Sequence, residues 1–329
     1  MTDMSSTTAP RDPQTIMLSA GTIPKATFKQ RVSAASEAGF GAISLFPEHY
    51  LNALKREKLT VSNMQEILAA KAVLLDEVDP LLDWFGPPDR GASRSESLLY
   101  EIADAFGATT MNVAPGLAPA LSQAEVTDAF GRVCERAGRH GLLATLEFLP
   151  WSVVPNLSTA LQIAYDCAQP NARVMLDTWH FFRSKGQVAD LFKLSAAQVA
   201  LISSVQINDA PTRRRPYTHE EQKMVRNGML SMGWNSMRVM GFVNMVKLST
   251  KTKHPGADAN ELAKDACFAR LMPGAGNIPL AEILSALYAQ GATPKIGLEI
   301  FSLSTLPANE VAQQAMQAYR STAADVVFQ

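Results

Sequence analysis

Short apolar runs rich in Val, Ile and Leu recur along the chain at intervals of about thirty residues, and each gives way to a stretch with apolar positions at helical spacing. The runs TIMLSAG (15–21), AISLF (42–46), AVLLDEV (72–78) and TTMNVA (109–114) predict four strands, and LLATLEF (142–148), ARVMLD (172–177), LISSVQIN (201–208) and KIGLEIF (295–301) predict four more. Helical patterns lie between them: ATFKQRVSAASEAG, SRSESLLYEIADAFG, QAEVTDAFGRVCERAGRHG, NLSTALQIAYDCA and the stretch around ADLFKLSAAQVA. Gly39, Gly107 and Gly141 stand where helices should stop, while Ser122 and Asn156 stand where helices should start.

Strands that alternate with helices pair in parallel through right-handed crossovers. Strands that are apolar on both faces belong to a sheet covered on both sides. Eight such units predict a closed (β/α)8 TIM barrel. An open doubly wound sheet would want a glycine-rich turn after its first strand, and the TIPKATF found there has none. The spacing reads as a single barrel domain over residues 15–329, preceded by a polar, proline-containing disordered tail over 1–14.

In such a barrel the chemistry is built at the C-terminal ends of the strands. The fifth strand ends in Glu147, the sixth in Asp177, the seventh carries Gln206 and the eighth Glu299, each between apolar neighbours. Burying an ionised carboxylate alone costs several kcal/mol or more, and three converging carboxylates would repel one another. One bound divalent cation answers both problems, and two Glu, one Asp and an amide oxygen form a hard donor set suited to Mg2+ or Mn2+.

The patterns LEFLPW, LDTWHFFR, VQINDAP, RLMPGAGNIPL and GLEIFS, in this order and spacing, resemble the xylose-isomerase-like superfamily of sugar isomerases and epimerases. That superfamily includes keto-sugar epimerases, inosose dehydratases and 3-dehydroshikimate dehydratases. The resemblance implies that Glu147, Asp177, Gln206 and Glu299 hold one divalent metal, and that His180, three residues beyond Asp177, touches the substrate. It further implies isomerisation or epimerisation of a polyhydroxylated carbonyl compound through a metal-stabilised enediolate, with Glu147 and Glu299 exchanging protons with carbon. Gln206 stands where the epimerases commonly carry His, as in some dehydratase relatives, which leaves a dehydratase or lyase acting through the same enolate as the alternative.

Other residues near these strand ends carry two readings each. Arg183 suits either an anionic substrate group or an acid on the rim. Trp151 and Trp179 suit pocket walls or packing, and Asp209 suits a partner that orients a metal ligand or a turn cap. Glu147 to Asp177 spans 30 residues and Asp177 to Gln206 spans 29, but Gln206 to Glu299 spans 93. Residues 211–270 therefore form a helical insertion between strands seven and eight. Its Met224, Met229, Met232, Met237, Met240 and Met245, interrupted by Gly228, Gly233 and Gly241, suit a lid over the barrel mouth or a contact in a homo-oligomer.

Composition narrows the classes further. The chain of 329 residues is 47% hydrophobic and 19% charged with a formal net charge of -1, as in an ordinary soluble globular protein. That charge leaves no electrostatic footprint for nucleic acid or an anionic membrane, and five His with a neutral face argue against a multi-zinc endonuclease. A non-catalytic sugar-binding barrel is the remaining rival class. With no secretion signal, no run long enough to span a bilayer and three Cys without paired spacing, the expectation is a cytoplasmic protein with a small-molecule partner.

Overall fold

The computed structural model describes residues 15–87, 89, 91–116, 121–214, 216–231 and 259–326. Eight strands close on themselves in sequence order, β1 Ile16–Leu18, β2 Ala42–Leu45, β3 Leu74–Leu81, β4 Thr110–Val113, β5 Leu143–Glu147, β6 Ala172–Asp177, β7 Ile202–Ile207 and β8 Lys295–Leu298. Every neighbouring pair is parallel, including the closing pair of β8 with β1. This is the expected (β/α)8 TIM barrel.

The helices form where the sequence supplies their ends. Thr27, Ser93, Ser122 and Ser195 each close a reciprocal capping box with the residue three positions on, which satisfies two otherwise unpaired backbone N–H groups. Asn156 caps Leu157–Asp166 by accepting from the backbone N–H of Thr159. Gly39 and Gly107 end their helices in the left-handed conformation that glycine adopts without steric cost. Helices that the pattern does not single out, among them Pro47–Lys55, Val61–Ala70, Leu280–Ala289 and Ala308–Ala323, complete the outer layer. The core lies between sheet and helices, with Leu18, Ile43, Leu75, Met111, Leu146, Val174, Val205 and Leu298 all essentially inaccessible.

β3 departs from the expected boundary. The expected run ends at Val78, yet the strand runs on to Leu81, with an irregularity in its pairing to β4 between Val78 and Leu81. The consequence is chemical, because it adds Asp79 to the buried polar residues of the barrel.

Between β7 and β8 the structure places the helices His219–Ser231 and Ala259–Phe268 before Leu280–Ala289. The excursion is closed at its neck. Asp209 and Leu271 exchange backbone hydrogen bonds of 3.0 and 2.8 Å. Among the methionines singled out there, Met232, Met237, Met240 and Met245 lie outside the described residues, as does the side chain of Met229.

Candidate active site at the C-terminal mouth of the barrel

Strand register gathers the four strand-end residues. Asp177 on β6 lies opposite Gln206 on β7, Gln206 opposite Gly297 on β8, and Glu147 on β5 opposite Met175 on β6. Glu299 follows β8 directly and donates its backbone N–H to the carbonyl of Ile207 at 3.1 Å. All four side chains are buried.

Asp177 both ends β6 and caps the helix Thr178–Arg183: its Oδ1 accepts from the backbone N–H of His180 at 2.8 Å. That single turn returns His180 over the strand ends, where its Nε2 comes within 3.2 Å of Glu147 Oε1. The imidazole is wedged edge-to-face against Trp151 and Trp179, with centroids 5.5 and 5.2 Å away. Trp151 is thus a wall of this site. Arg183 is not: its guanidinium donates to the carbonyl oxygens of Pro211 and Thr212 and lies over the rings of Trp179 and Phe182. It fastens the start of the long β7–β8 connection instead of pointing at the carboxylates.

Two residues that the sequence pattern does not single out organise the acids. Asn112 on β4 donates from Nδ2 to Glu147 Oε2 at 2.8 Å and to Asp79 Oδ1 at 3.0 Å. Arg270 follows the helix Ala259–Phe268 within the β7–β8 connection and donates from Nη1 to Asp177 Oδ2 at 2.6 Å and to Glu299 Oε2 at 3.0 Å. Its Nη2 lies 3.3 Å from His180 Nε2 and its Nε donates to the carbonyl of Ala266 at 2.7 Å. Ser19 and Asn208 complete the set, donating at 2.8 Å to Glu299 Oε1 and to Asp177 Oδ2. The signal for Asn112 was present: Thr110 and Asn112 alternate with apolar residues, the period-two mark of a side that faces the barrel axis. Arg270 had no such mark, being distant in sequence from every residue it touches except Ala266.

Asp209 resolves as a turn cap. Its carboxylate accepts from the backbone N–H groups of Gly276 and Ile278, both at 2.9 Å, and so ties the end of β7 to the PGAGN loop. Gly276 has to be glycine because a Cβ there would stand 2.4 Å from Asp209 Oδ1 and 2.5 Å from the Ala210 carbonyl oxygen.

The electrostatics are dominated by acid. Glu77, Asp79, Glu147, Asp177 and Glu299 are all buried, with Arg270 as the cation among them. Burial, reinforced by Asp79 and Glu299, holds the Glu77 carboxyl well above the usual carboxylate range. Burial and the charge of Glu147 push Asp79 from 3.8 up to about 7. Burial likewise raises Glu299 well above its ordinary value, against the pull of Arg270. Burial disfavours the charge on Arg270, but Asp177 and Glu299 outweigh it and raise its pKa.

The donor set fits a divalent cation. Oxygen or nitrogen atoms of Glu147, Asp177 and His180 lie within 4.8 Å of one another. Both polar atoms of the Gln206 amide are buried and have no hydrogen-bond partner, as is the case for Asp79 Oδ2 and His180 Nδ1. A buried amide left unpaired costs about 1–3 kcal/mol, and an ion bound by its oxygen would recover the oxygen's share. Glu299 lies outside this close set, drawn aside by Ser19 and Arg270.

A family model described as xylose isomerase-like TIM barrel matches residues 32–322. No curated protein sequence matches the chain. Among solved structures, the IolI protein with a bound zinc atom is 16% identical with a TM-score of 0.70, over 96% of this chain and 100% of that one. The probable 3-DHS dehydratase AsbF of Bacillus anthracis is 17% identical with a TM-score of 0.64, over 93% and 99%. The D-allulose 3-epimerase of a Methylomonas species is 14% identical with a TM-score of 0.61, over 93% and 97%. The chain spans 42% of the length of a fusion between such a barrel and 4-hydroxyphenylpyruvate dioxygenase. At these identities the likeness is one of fold.

Proposed function

The chain belongs to the xylose isomerase-like TIM-barrel family, and we propose that within it the protein is a divalent-metal-dependent isomerase or epimerase of a polyhydroxylated carbonyl compound. The observation that carries this reading is the set of buried donors at the barrel mouth, where atoms of Glu147, Asp177 and His180 lie within 4.8 Å of one another and the Gln206 amide is unpaired. Glu147 meets His180 at 3.2 Å, His180 meets Arg270 at 3.3 Å, and Arg270 meets Glu299 at 3.0 Å. The two acids sit in different environments, and that difference supports different roles for them.

Glu147 Oε2 accepts from Asn112 Nδ2, and its Oε1 lies 3.2 Å from His180 Nε2. We assign it the removal of a proton from the carbon beside a carbonyl. Glu299 is raised by burial and shares one oxygen with the Ser19 hydroxyl, which can accept as well as donate. It is suited to hold a proton and deliver it. Return to the opposite face of the carbon is epimerisation; return to the neighbouring carbon is aldose–ketose isomerisation. A divalent ion held by Glu147, Asp177, Gln206 and Glu299 would polarise the carbonyl and lower the cost of the enediolate charge. His180, packed against Trp151 and Trp179, would hydrogen-bond a substrate oxygen in this reading.

The zinc in the IolI structure and the epimerase among the fold neighbours support this reading. One observation favours a second: Gln206 occupies the seventh-strand position at which the epimerases that the sequence resembles commonly carry His. Dehydration of a β-hydroxy ketone through the same enolate follows if the proton goes to a leaving hydroxyl. Chelator-stripped protein, reloaded with Mn2+ or Mg2+, is incubated in deuterated water with keto-sugars, cyclitol ketones and dehydroshikimate. Carbon-bound deuterium that depends on added metal is expected. Full exchange in excess chelator would end the metal-dependent reading, and a new ultraviolet band from a conjugated product would replace isomerisation by dehydration.

A further inference from the structure

We propose that Arg270 is a built-in competitor for the divalent cation, holding Asp177 and Glu299 until the ion displaces it. The inference rests on the reading of these acids as cation ligands and concerns what must happen when a cation arrives. Nη1 of Arg270 lies between oxygens of two different strand ends, 2.6 Å from Asp177 Oδ2 and 3.0 Å from Glu299 Oε2. An ion that takes both carboxylates as ligands needs their oxygens about 2.0–2.2 Å from its centre. The guanidinium nitrogen and the ion cannot share that position, and two like charges side by side in a buried site repel strongly.

The remaining oxygens leave little slack. Asp177 Oδ1 already accepts from the His180 backbone, and Glu299 Oε1 from Ser19. The competition is therefore for the two oxygens that face Arg270. Its side chain is buried and anchored beside the neck of the β7–β8 connection: Nε is held by the Ala266 carbonyl, and the Arg270 backbone N–H donates to Phe301 at 2.9 Å. The next residue, Leu271, makes the backbone pair with Asp209 that closes the neck of the β7–β8 connection. Displacing the guanidinium removes the ion pairs that fasten the helix Ala259–Phe268 and its exit to the strand ends. Cation binding and the order of this joint are thereby coupled, and the coupling is reciprocal.

Isothermal titration of the chelator-stripped full chain with Mn2+ tests this without any substrate. Arg270→Gln should bind Mn2+ roughly ten- to a hundredfold more tightly than wild type, the usual range of such coupling, and Arg270→Lys should fall between. In parallel, Mn2+ should speed hydrogen–deuterium exchange of peptides covering 259–271 in the wild type but not in Arg270→Gln. If Arg270→Gln is poorly folded by circular dichroism, the comparison of Arg270→Lys with wild type decides. Equal or weaker binding by both variants overturns the proposal while leaving the metal reading intact. An ion lost in His180→Gln and indifferent to Arg270 overturns it as well, because it would sit with Glu147, Asp177 and His180 beside an unmoved arginine. Absence of binding in wild type and variants alike removes the metal reading and this inference with it.

Discussion

Asp79→Asn should stabilise the protein at pH 8 and leave it nearly unchanged at pH 4. Asp79 is buried on β3, accepts one hydrogen bond from Asn112 on Oδ1 and has no partner on Oδ2. Burial and the neighbouring Glu147 charge push its carboxyl from 3.8 to about 7. A carboxyl with a raised folded pKa binds its proton more tightly folded than unfolded, so stability falls as pH rises between the two values. At about 1.4 kcal/mol per pKa unit, the cost of the charged form reaches roughly 4 kcal/mol above pH 7 and vanishes below pH 4. Asparagine keeps the acceptor for Asn112, cannot ionise and supplies N–H donors toward the acidic interior. Urea denaturation in chelator at pH 4.5, 6, 7 and 8 reads the difference, with the slope on urea unchanged. The gain should climb through that series and shrink when Mn2+ is added, since a nearby cation favours the aspartate charge. A variant that is less stable than wild type at pH 8, or whose effect does not change with pH, refutes the argument.

Other outcomes follow from the same geometry. Asp209→Ala leaves the part-buried N–H of Gly276 and the buried N–H of Ile278 without their acceptor. At about 1–3 kcal/mol each, the expected loss of stability is about 2–6 kcal/mol by denaturant titration, and a loss under half a kcal/mol would contradict the capping role. Gly276→Ala drives a methyl against backbone of Ala210 and should cost at least about 1–3 kcal/mol, read as a lowered Tm. Glu147→Gln and Glu299→Gln should each slow substrate carbon–deuterium exchange by about 100-fold or more; wild-type exchange in either excludes that residue from proton transfer.

The fold was legible because its signal is local. A parallel barrel repeats one unit, and most repeats announce themselves through a short apolar run and, in several places, a capping Ser, Thr or Asn or a terminal Gly. Glu147, Asp177, Gln206 and Glu299 could be singled out for the same reason: each is a polar residue at the end of an apolar run, and strand ends in a barrel share one mouth. The misplaced end of β3 shows the limit of local reading. Asp79-Pro80 has turn chemistry, but pairing with β4 on one side keeps the strand going, and propensity yields to that neighbour.

The sequence by itself determined that eight strands alternate with helices and that acids stand at the ends of the last ones. Tertiary structure alone decided what those acids touch. Asn112 reaches Glu147 across 35 residues, Ser19 reaches Glu299 across 280, and Arg270 reaches Asp177 across 93. No periodicity encodes such distances, because they arise when barrel closure brings β1 beside β8 and the β7–β8 connection returns over the mouth. Which acid is ionised follows from burial and from those partners, and so the proton chemistry of the site belongs to the folded molecule.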